Sequence, residues 1–205
     1  MNSEIVSVGD LEAAVERAAE KIEAGLPVGI PTDTVYVLAA DPTDPGVTDR
    51  LFHLKHRSRV FDLSVLVASI DQALELTTAL PPAAKVLMER FWPGALTLVL
   101  PKNPDEQLEL GEDDLTIGVR MPNHPVALAL CEEMGPLAAT PAGVQGEKVF
   151  ETAQDIADEF GAWVPLVLDG GRCAGRPATV VDATGEEPRL LREGGLAWSE
   201  IEAVL

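Results

Sequence analysis

The stretch LPVGIPTDTVYVLAAD, residues 26–41, decides how the rest of the chain is read. Its first five residues form an apolar run of the length and composition of a buried strand. Ahead of it lies DLEAAVERAAEKIEAG (10–25), where Leu11, Val15, Ala18 and Ile22 share one helical face. Asp10 suits the N-cap of that helix and Gly25 its stop. Behind the apolar run come Pro31 and then Thr32, Asp33, Thr34 and Tyr36, four hydrogen-bonding side chains at a strand end. Open α/β sheets bind ligands beyond their strand ends. The same residues also fit an Asx- or ST-type turn with no ligand, and their order leaves both readings open.

The alternation of helix and strand continues. DPGVTDRLFHLK (44–55) reads as a helix from Pro45, DLSVLVAS (62–69) as a strand, PPAAKVLMERFW (81–92) as a helix and ALTLVL (95–100) as a strand stopped by Pro101. KNPDEQLELGEDD (102–114) has the acidity and turn residues of a surface loop. TIGVRMP (116–122) and PLAAT (136–140) read as strands around the helix HPVALALCEEMG (124–135). After the loop PAGVQGEKV (141–149) come the helix ETAQDIADEFG (151–161), three short strands (164–171, 178–184, 188–194) and a last helix, 198–205, with Ser199 as its cap. No repeat or low-complexity tract interrupts the pattern, so residues 1–205 are expected to form one layered α/β domain.

Composition narrows the function. Asp and Glu total 34 against 15 Lys and Arg, a net charge of −19. The acidity reads as a solubility trait, and it disfavours a general nucleic-acid surface, so direct RNA binding is expected to be weak or absent. No apolar run approaches the roughly 18 residues of a membrane span, and MNSEIVSVGD lacks the features of a signal peptide. Cys131 and Cys173 lie far apart, with no metal-ligand or CxxC spacing. A reduced, cytoplasmic protein without a bound metal is the expectation.

Polar groups recur at the ends of apolar strands. Beyond the Thr32–Tyr36 group, HLKHRSR (53–59) is the densest cationic patch of an acidic chain, and Arg120 and Arg192 each close an apolar run. Guanidinium and ammonium groups in a negative field suit a specific carboxylate or phosphate. DGGRCAG (169–175) has the glycines of a phosphate loop, but no GK[ST] follows, and neither GxSxG nor HExxH occurs. Phe91 and Trp92 read as core.

PTDTVYVLAAD, KHRSR, FWPGALTLVL, GVRMPNHP, DGGRCAG, ATVVDAT and LLREGGL follow one another in order. This set resembles the YrdC-like family of threonylcarbamoyl-AMP synthases, from about Gly25 to Leu196. The resemblance implies a YrdC-like twisted open mixed sheet with flanking helices around a concave, positively lined cavity. It implies a nucleotidyltransferase that turns L-threonine, bicarbonate and ATP into threonylcarbamoyl-AMP and pyrophosphate for tRNA modification. ATP with Mg²⁺ and partner tRNA-modification proteins come with it. By the same resemblance Thr32, Thr34, Tyr36 and Arg120 face the threonine, and Lys55, Arg57, Thr116 and Arg192 meet the nucleotide. No residue is singled out as catalytic.

The chain departs from the family pattern at the site. Val37 follows PTDTVY where glycine is usual, and Ser58 stands where the family has proline. Phe61 and Asp62 fill a segment that is small and polar in the family, Pro141 and Gly143 replace a Ser-x-Asn pair, and Ala178 replaces a serine. Several hydroxyl and amide groups are lost with these changes. Three functions remain open to this sequence: an active synthase with a reshaped site, a diverged paralogue that binds another anionic ligand, and a non-catalytic binding or regulatory protein.

Overall fold

The computed structural model describes residues 3–56, 58–60, 62–143 and 149–205. Its strands are β1 (Glu4–Ser7), β2 (Val28–Ile30), β3 (Val37–Ala40), β4 (Ser64–Leu66), β5 (Leu96–Pro101), β6 (Thr116–Arg120), β7 (Leu137–Pro141), β8 (Leu166–Asp169), β9 (Thr179–Asp182) and β10 (Arg189–Arg192). They form one twisted mixed sheet in the order β1-β8-β2-β3-β7-β4-β6-β5-β9-β10. The pairs β1–β8, β2–β8, β4–β6 and β5–β9 are parallel, and the others antiparallel. The helices are α1 (Leu11–Glu23), α2 (Pro45–Leu54), α3 (Ile70–Glu75), α4 (Pro82–Phe91), α5 (Pro125–Met134), α6 (Ala153–Phe160) and α7 (Trp198–Glu202).

Most boundaries follow from local chemistry. Asp10 caps α1 by accepting from the Ala13 N–H, Asp44 caps α2 ahead of Pro45, and Thr152 and Asp155 form a capping box on α6. The α1 face is Ala14, Val15, Ala18, Ala19 and Ile22, with Leu11 at its rim. The structure adds strands β1 and β3 and helix α3 to the elements expected from sequence. β3 is buried on both sides, so its residues lack the alternation that marks a half-exposed strand.

Pro101 ends β5 as expected, and pairs there with Thr116. Two expectations are corrected. The 102–114 segment is not merely surface: Leu110 is buried and its carbonyl accepts from the Leu63 N–H. Ser199 lies inside α7, whose N-cap is Ala197; there Glu200 folds back onto the Ala197 N–H.

Two apolar layers enclose the sheet. On one face, Leu38, Val65, Leu96, Leu98, Ile117 and Val119 pack with α2, α4 and α6. On the other, α1 and α5 cover β8, β2, β3 and β7 through Val15, Ile22, Val126 and Leu130. These two helices pack against each other and stop short of β6, β5 and β9. The stretch of sheet they leave uncovered is the floor of the cavity described below.

Cys131 sits fully buried in the α1–α5 layer, where burial lifts its thiol from 9.0 to about 12. The folded value lies above the unfolded one, so the contribution is whole below pH 9 and is lost as pH rises toward 12. The stability gap between wild type and Cys131→Ala is therefore expected to shrink by about 2 kcal/mol between pH 8 and 10.5. Urea midpoints at the two pH values measure it, and a constant gap would refute it.

Candidate functional site

Strand alternation builds the site. Along β6, Ile117 and Val119 point into the core, while Thr116, Gly118 and Arg120 face the uncovered side. The same period brings Ser64 and Leu66 from β4, Thr97 and Val99 from β5, Ala139 and Pro141 from β7, and Val180 from β9 onto one floor. Thr34, Ala178, Leu191 and Arg192 contribute to its walls, and the cavity holds about 630 Å³. That lies within the roughly 300–1,000 Å³ of small-molecule sites.

Arg120 dominates one end. It is 4% exposed, and each part of its guanidinium is engaged. Nε donates to the Gly94 carbonyl at 3.0 Å, one terminal nitrogen to Thr34 Oγ1 at 2.8 Å and the other to Asp33 Oδ1 at 2.5 Å. Burial pulls its pKa down while Asp33 pulls it up; a guanidinium stays charged regardless. Asp33 also accepts from the Asn123 N–H at 3.0 Å, which ties the strand-end loop to the turn after β6. The remaining N–H donors of Arg120 are held rigid beside the cavity, the arrangement that suits a carboxylate.

Gly94 shows why FWPG takes part. A Cβ there would lie 2.5 Å from the Phe91 carbonyl, so only glycine allows the turn that aims its own carbonyl at Arg120. Trp92 is buried and donates from Nε1 to the Leu96 carbonyl, and Phe91 packs at the core's edge, both as expected from sequence.

The PTDTVY stretch is both of the things its sequence allowed. Thr32 is a turn residue: its Oγ1 accepts from the Thr34 and Val35 N–H groups and donates to the Val35 carbonyl. Thr34 is at the site, its hydroxyl 2.9 Å from that of Thr32 and bonded by Arg120. Tyr36 is fully buried and turned away from the cavity. Its hydroxyl donates to the Gly171 carbonyl at 2.9 Å and accepts from the Gly170 N–H at 3.2 Å. The DGG turn is thus a bracket on the strand-end loop, reinforced by the Gly175 N–H on the Thr34 carbonyl.

The other candidates divide. Thr116 lines the cavity and donates to Asp113, whose carboxyl this hydroxyl holds below its usual range. Arg192 also lines the cavity, near enough for its charge to oppose that of Arg120, and donates to the Ala178 carbonyl at 3.0 Å. Burial lowers its pKa. Lys55 is buried at the end of α2 and does not line the cavity. Arg57 and Phe61 lie outside the described residues. Arg59, also of the cationic patch, is committed elsewhere: it pairs with Asp49 and Glu109 and lies over the Phe52 ring. Pro141 and Ala178 do face the cavity, and Gly143 has φ of 116°, a conformation that favours glycine.

Among the described residues the charged lining is Arg120, Arg192 and Asp62, two cations against one carboxylate, and most of the rest is aliphatic or hydroxyl-bearing. Asp62 accepts the Glu112 N–H at 2.9 Å and, more weakly, that of Asp113. The site joins these polar groups to an apolar lining of Leu63, Val99, Val180 and Leu191. Asp33 is legible in sequence only as part of the Thr32–Tyr36 group, and Gly94 and Gly118 escaped sequence reading as site residues. Only the i, i+2 alternation about Arg120 could have pointed to Gly118.

Comparison with known proteins agrees with this architecture. The Sua5/YciO/YrdC family model, described as telomere recombination, matches residues 20–194. A Mycobacterium tuberculosis protein provisionally named a threonylcarbamoyl-AMP synthase is 38% identical over 189 residues, 92% of this chain and 87% of its own. The Pyrococcus abyssi Sua5 structure complexed with L-threonine superposes with a TM-score of 0.89 at 36% identity, covering 99% of this chain and 61% of that one. The Escherichia coli YciO crystal structure gives 0.88 at 25% identity, covering 99% and 100%. The chain thus spans about three-fifths of the P. abyssi protein.

Proposed function

The chain belongs to the Sua5/YciO/YrdC family, and from that premise we propose that it is an L-threonylcarbamoyl-AMP synthase. The amine of L-threonine and bicarbonate condense to a carbamate with loss of water. A carbamate oxygen then attacks the α-phosphorus of ATP, a new P–O bond forms, and the bond to pyrophosphate breaks. The observation that carries this reading is Arg120, buried and fixed by three partners, in a cavity that it shares with Arg192 and with the apolar side chains of Val99, Val180 and Leu191. Arg120 holds the threonine carboxylate, with Thr34 beside it and Thr32, Asp33 and Tyr36 shaping the loop. The adenine moiety lies against Val99, Val180 and Leu191, with Thr116 and Arg192 near the nucleotide. Arg57 joins the nucleotide set through the family resemblance.

The residues act by positioning and charge neutralisation rather than by covalent chemistry. Among the described residues no cluster of three His, Cys, Asp or Glu side chains is placed to hold a metal. Mg²⁺ would enter with ATP and would neutralise phosphate charge there. The product would supply tRNA modification in the cytoplasm, with the modifying proteins as partners and residues 1–205 acting as one domain. Among the described residues no helix is long and apolar enough to cross a membrane.

A second reading has its own observation. Pro141 and Ala178 present no side-chain hydrogen-bonding group to the cavity they line. A diverged paralogue that binds a less polar acid at Arg120 would need none there.

Calorimetric titration separates the two. The synthase reading expects ATP–Mg²⁺ to bind, L-threonine with bicarbonate to tighten that binding, and pyrophosphate to be released. Arg192→Ala is expected to weaken ATP roughly 10- to 100-fold, the loss of a charged hydrogen bond, with little change in melting temperature because the residue is exposed. No heat from ATP–Mg²⁺ at millimolar concentration, with binding of a small carboxylate, would replace the first reading by the second.

A further inference from the structure

We infer that Thr97 is a positioning residue for bicarbonate: its hydroxyl donates to an oxygen of that anion, and of the carbamate made from it, in the cavity between Arg120 and Arg192. The inference deepens the functional reading above and rests on it.

Strand register sets the place. Leu98 pairs with Val119, which puts Thr97 of β5 level with Arg120 of β6. Thr97 itself pairs with Val180 of β9, and Val180 with Arg192 of β10. Arg120, Thr97, Val180 and Arg192 thus form one row across four adjacent strands, and all four line the cavity. Neighbouring strands lie about 4.8 Å apart, so Thr97 stands one strand from Arg120 and two from Arg192. The two guanidinium charges oppose each other, and an anion held between them offsets that repulsion.

The hydroxyl of Thr97 is an orphan. The residue is 5% exposed, yet the hydroxyl has no hydrogen-bond partner among the described residues. The other buried threonines described are all partnered, Thr34 by Arg120 and Thr179 by the Leu196 carbonyl among them. An unpaired buried hydroxyl is costly and calls for a reason, since valine would serve the strand as well. The Thr97 methyl lies beside Gly118, where a Cβ would come within 3.6 Å of it. The hydroxyl is the polar atom that Thr97 brings to the floor.

Of the three substrates, bicarbonate alone has no side chain assigned to it. In the carbamate, only the Cα and nitrogen of threonine separate the new carbon from the carboxylate, a reach comparable to one strand spacing. An oxygen on that carbon must then meet the α-phosphorus. Thr97, one strand from the carboxylate clamp on the row toward Arg192, is placed for this group. A neutral hydroxyl donates to its oxygen without adding a third cation to the site.

The test compares wild type, Thr97→Val and Thr97→Ser. Pyrophosphate release is measured against bicarbonate added back to CO₂-depleted buffer, with thermal melts and separate titrations of L-threonine and ATP–Mg²⁺. Thr97→Val is expected to raise the half-saturating bicarbonate concentration roughly 10- to 100-fold, the loss of a hydrogen bond to a charged group. It should bind L-threonine alone and ATP–Mg²⁺ alone as wild type does, and melt at or above the wild-type temperature. Thr97→Ser restores the hydroxyl and should restore the bicarbonate dependence. Wild-type bicarbonate dependence in Thr97→Val overturns the inference alone. So does weaker binding of ATP–Mg²⁺ alone by that variant, which would give the hydroxyl to a phosphate. A melting temperature lowered in Thr97→Val but not in Thr97→Ser overturns it too, by giving the hydroxyl a partner within the fold. Wild-type protein that releases no pyrophosphate overturns the functional reading and this inference with it.

Discussion

Arg120→Ala is expected to abolish L-threonine binding and to lower stability by about 3–5 kcal/mol, because removing one member of a buried ion pair strands the other. For a chain of this size that corresponds to a fall in melting temperature of roughly 6–20 °C. The stranded group is Asp33, whose side chain is 17% exposed against 5% for that of Arg120. The Gly94 carbonyl and the Thr34 hydroxyl lose their donor at the same time. The double variant Asp33→Asn/Arg120→Ala separates the two roles. It removes the orphaned charge, so stability should partly return while threonine binding does not. Melting curves and calorimetry on the three proteins measure this. Threonine binding by Arg120→Ala at wild-type strength would remove the carboxylate clamp from the mechanism.

Pro141→Ser is expected to act in the opposite direction, tightening the ligand that lies against β7. Pro141 pairs with Val37 at the end of β7 and lines the cavity without a donor. A hydroxyl at this place can bond a carboxylate or phosphate, and one hydrogen bond to a charged group contributes about 1.5–3 kcal/mol. That is roughly a 10- to 100-fold gain in affinity. The folded protein should lose only about 0.4–1 kcal/mol, the entropy that proline removes from the unfolded chain. The neighbouring change is different in kind. Gly143 has φ of 116°, outside the left-handed well near +57° that asparagine tolerates, so Gly143→Asn carries backbone strain of about 1–3 kcal/mol. Titrating each single variant with ATP–Mg²⁺ and with L-threonine checks both statements. Unchanged affinity in Pro141→Ser would show that no ligand group comes within reach of this wall.

Much of the architecture was legible because local chemistry states it. The cap at Asp10, the prolines opening α2 and α4, and the apolar face of α1 are short-range signals that survive into the structure. The strands that escaped notice, β1 and β3, carry no such signal. One is short and largely exposed at an edge; the other is buried on both sides. The roles within PTDTVY could not be divided from sequence either. Thr32, Thr34 and Tyr36 are all polar and adjacent, yet one closes a turn, one reaches the cavity and one grips a loop more than 130 residues away.

The sequence by itself determined the family pattern, most of the run of elements, and a candidate set of Thr32, Thr34, Tyr36, Lys55, Arg57, Thr116, Arg120 and Arg192. Tertiary structure alone decided what they form together. Only the sheet order sets Gly94, Asp33 and Thr34 around one guanidinium, and only the register of β6, β5, β9 and β10 puts Thr97 on the row between Arg120 and Arg192. It also showed that Lys55, read as a nucleotide ligand, is buried off the cavity, and that Arg59 of the same patch is held by Asp49 and Glu109. The physical reason is the range of the interactions. Caps and periodicity act within a few residues, whereas an ion pair or a cavity wall is made by residues far apart in the chain, and their meeting is fixed only when the sheet assembles.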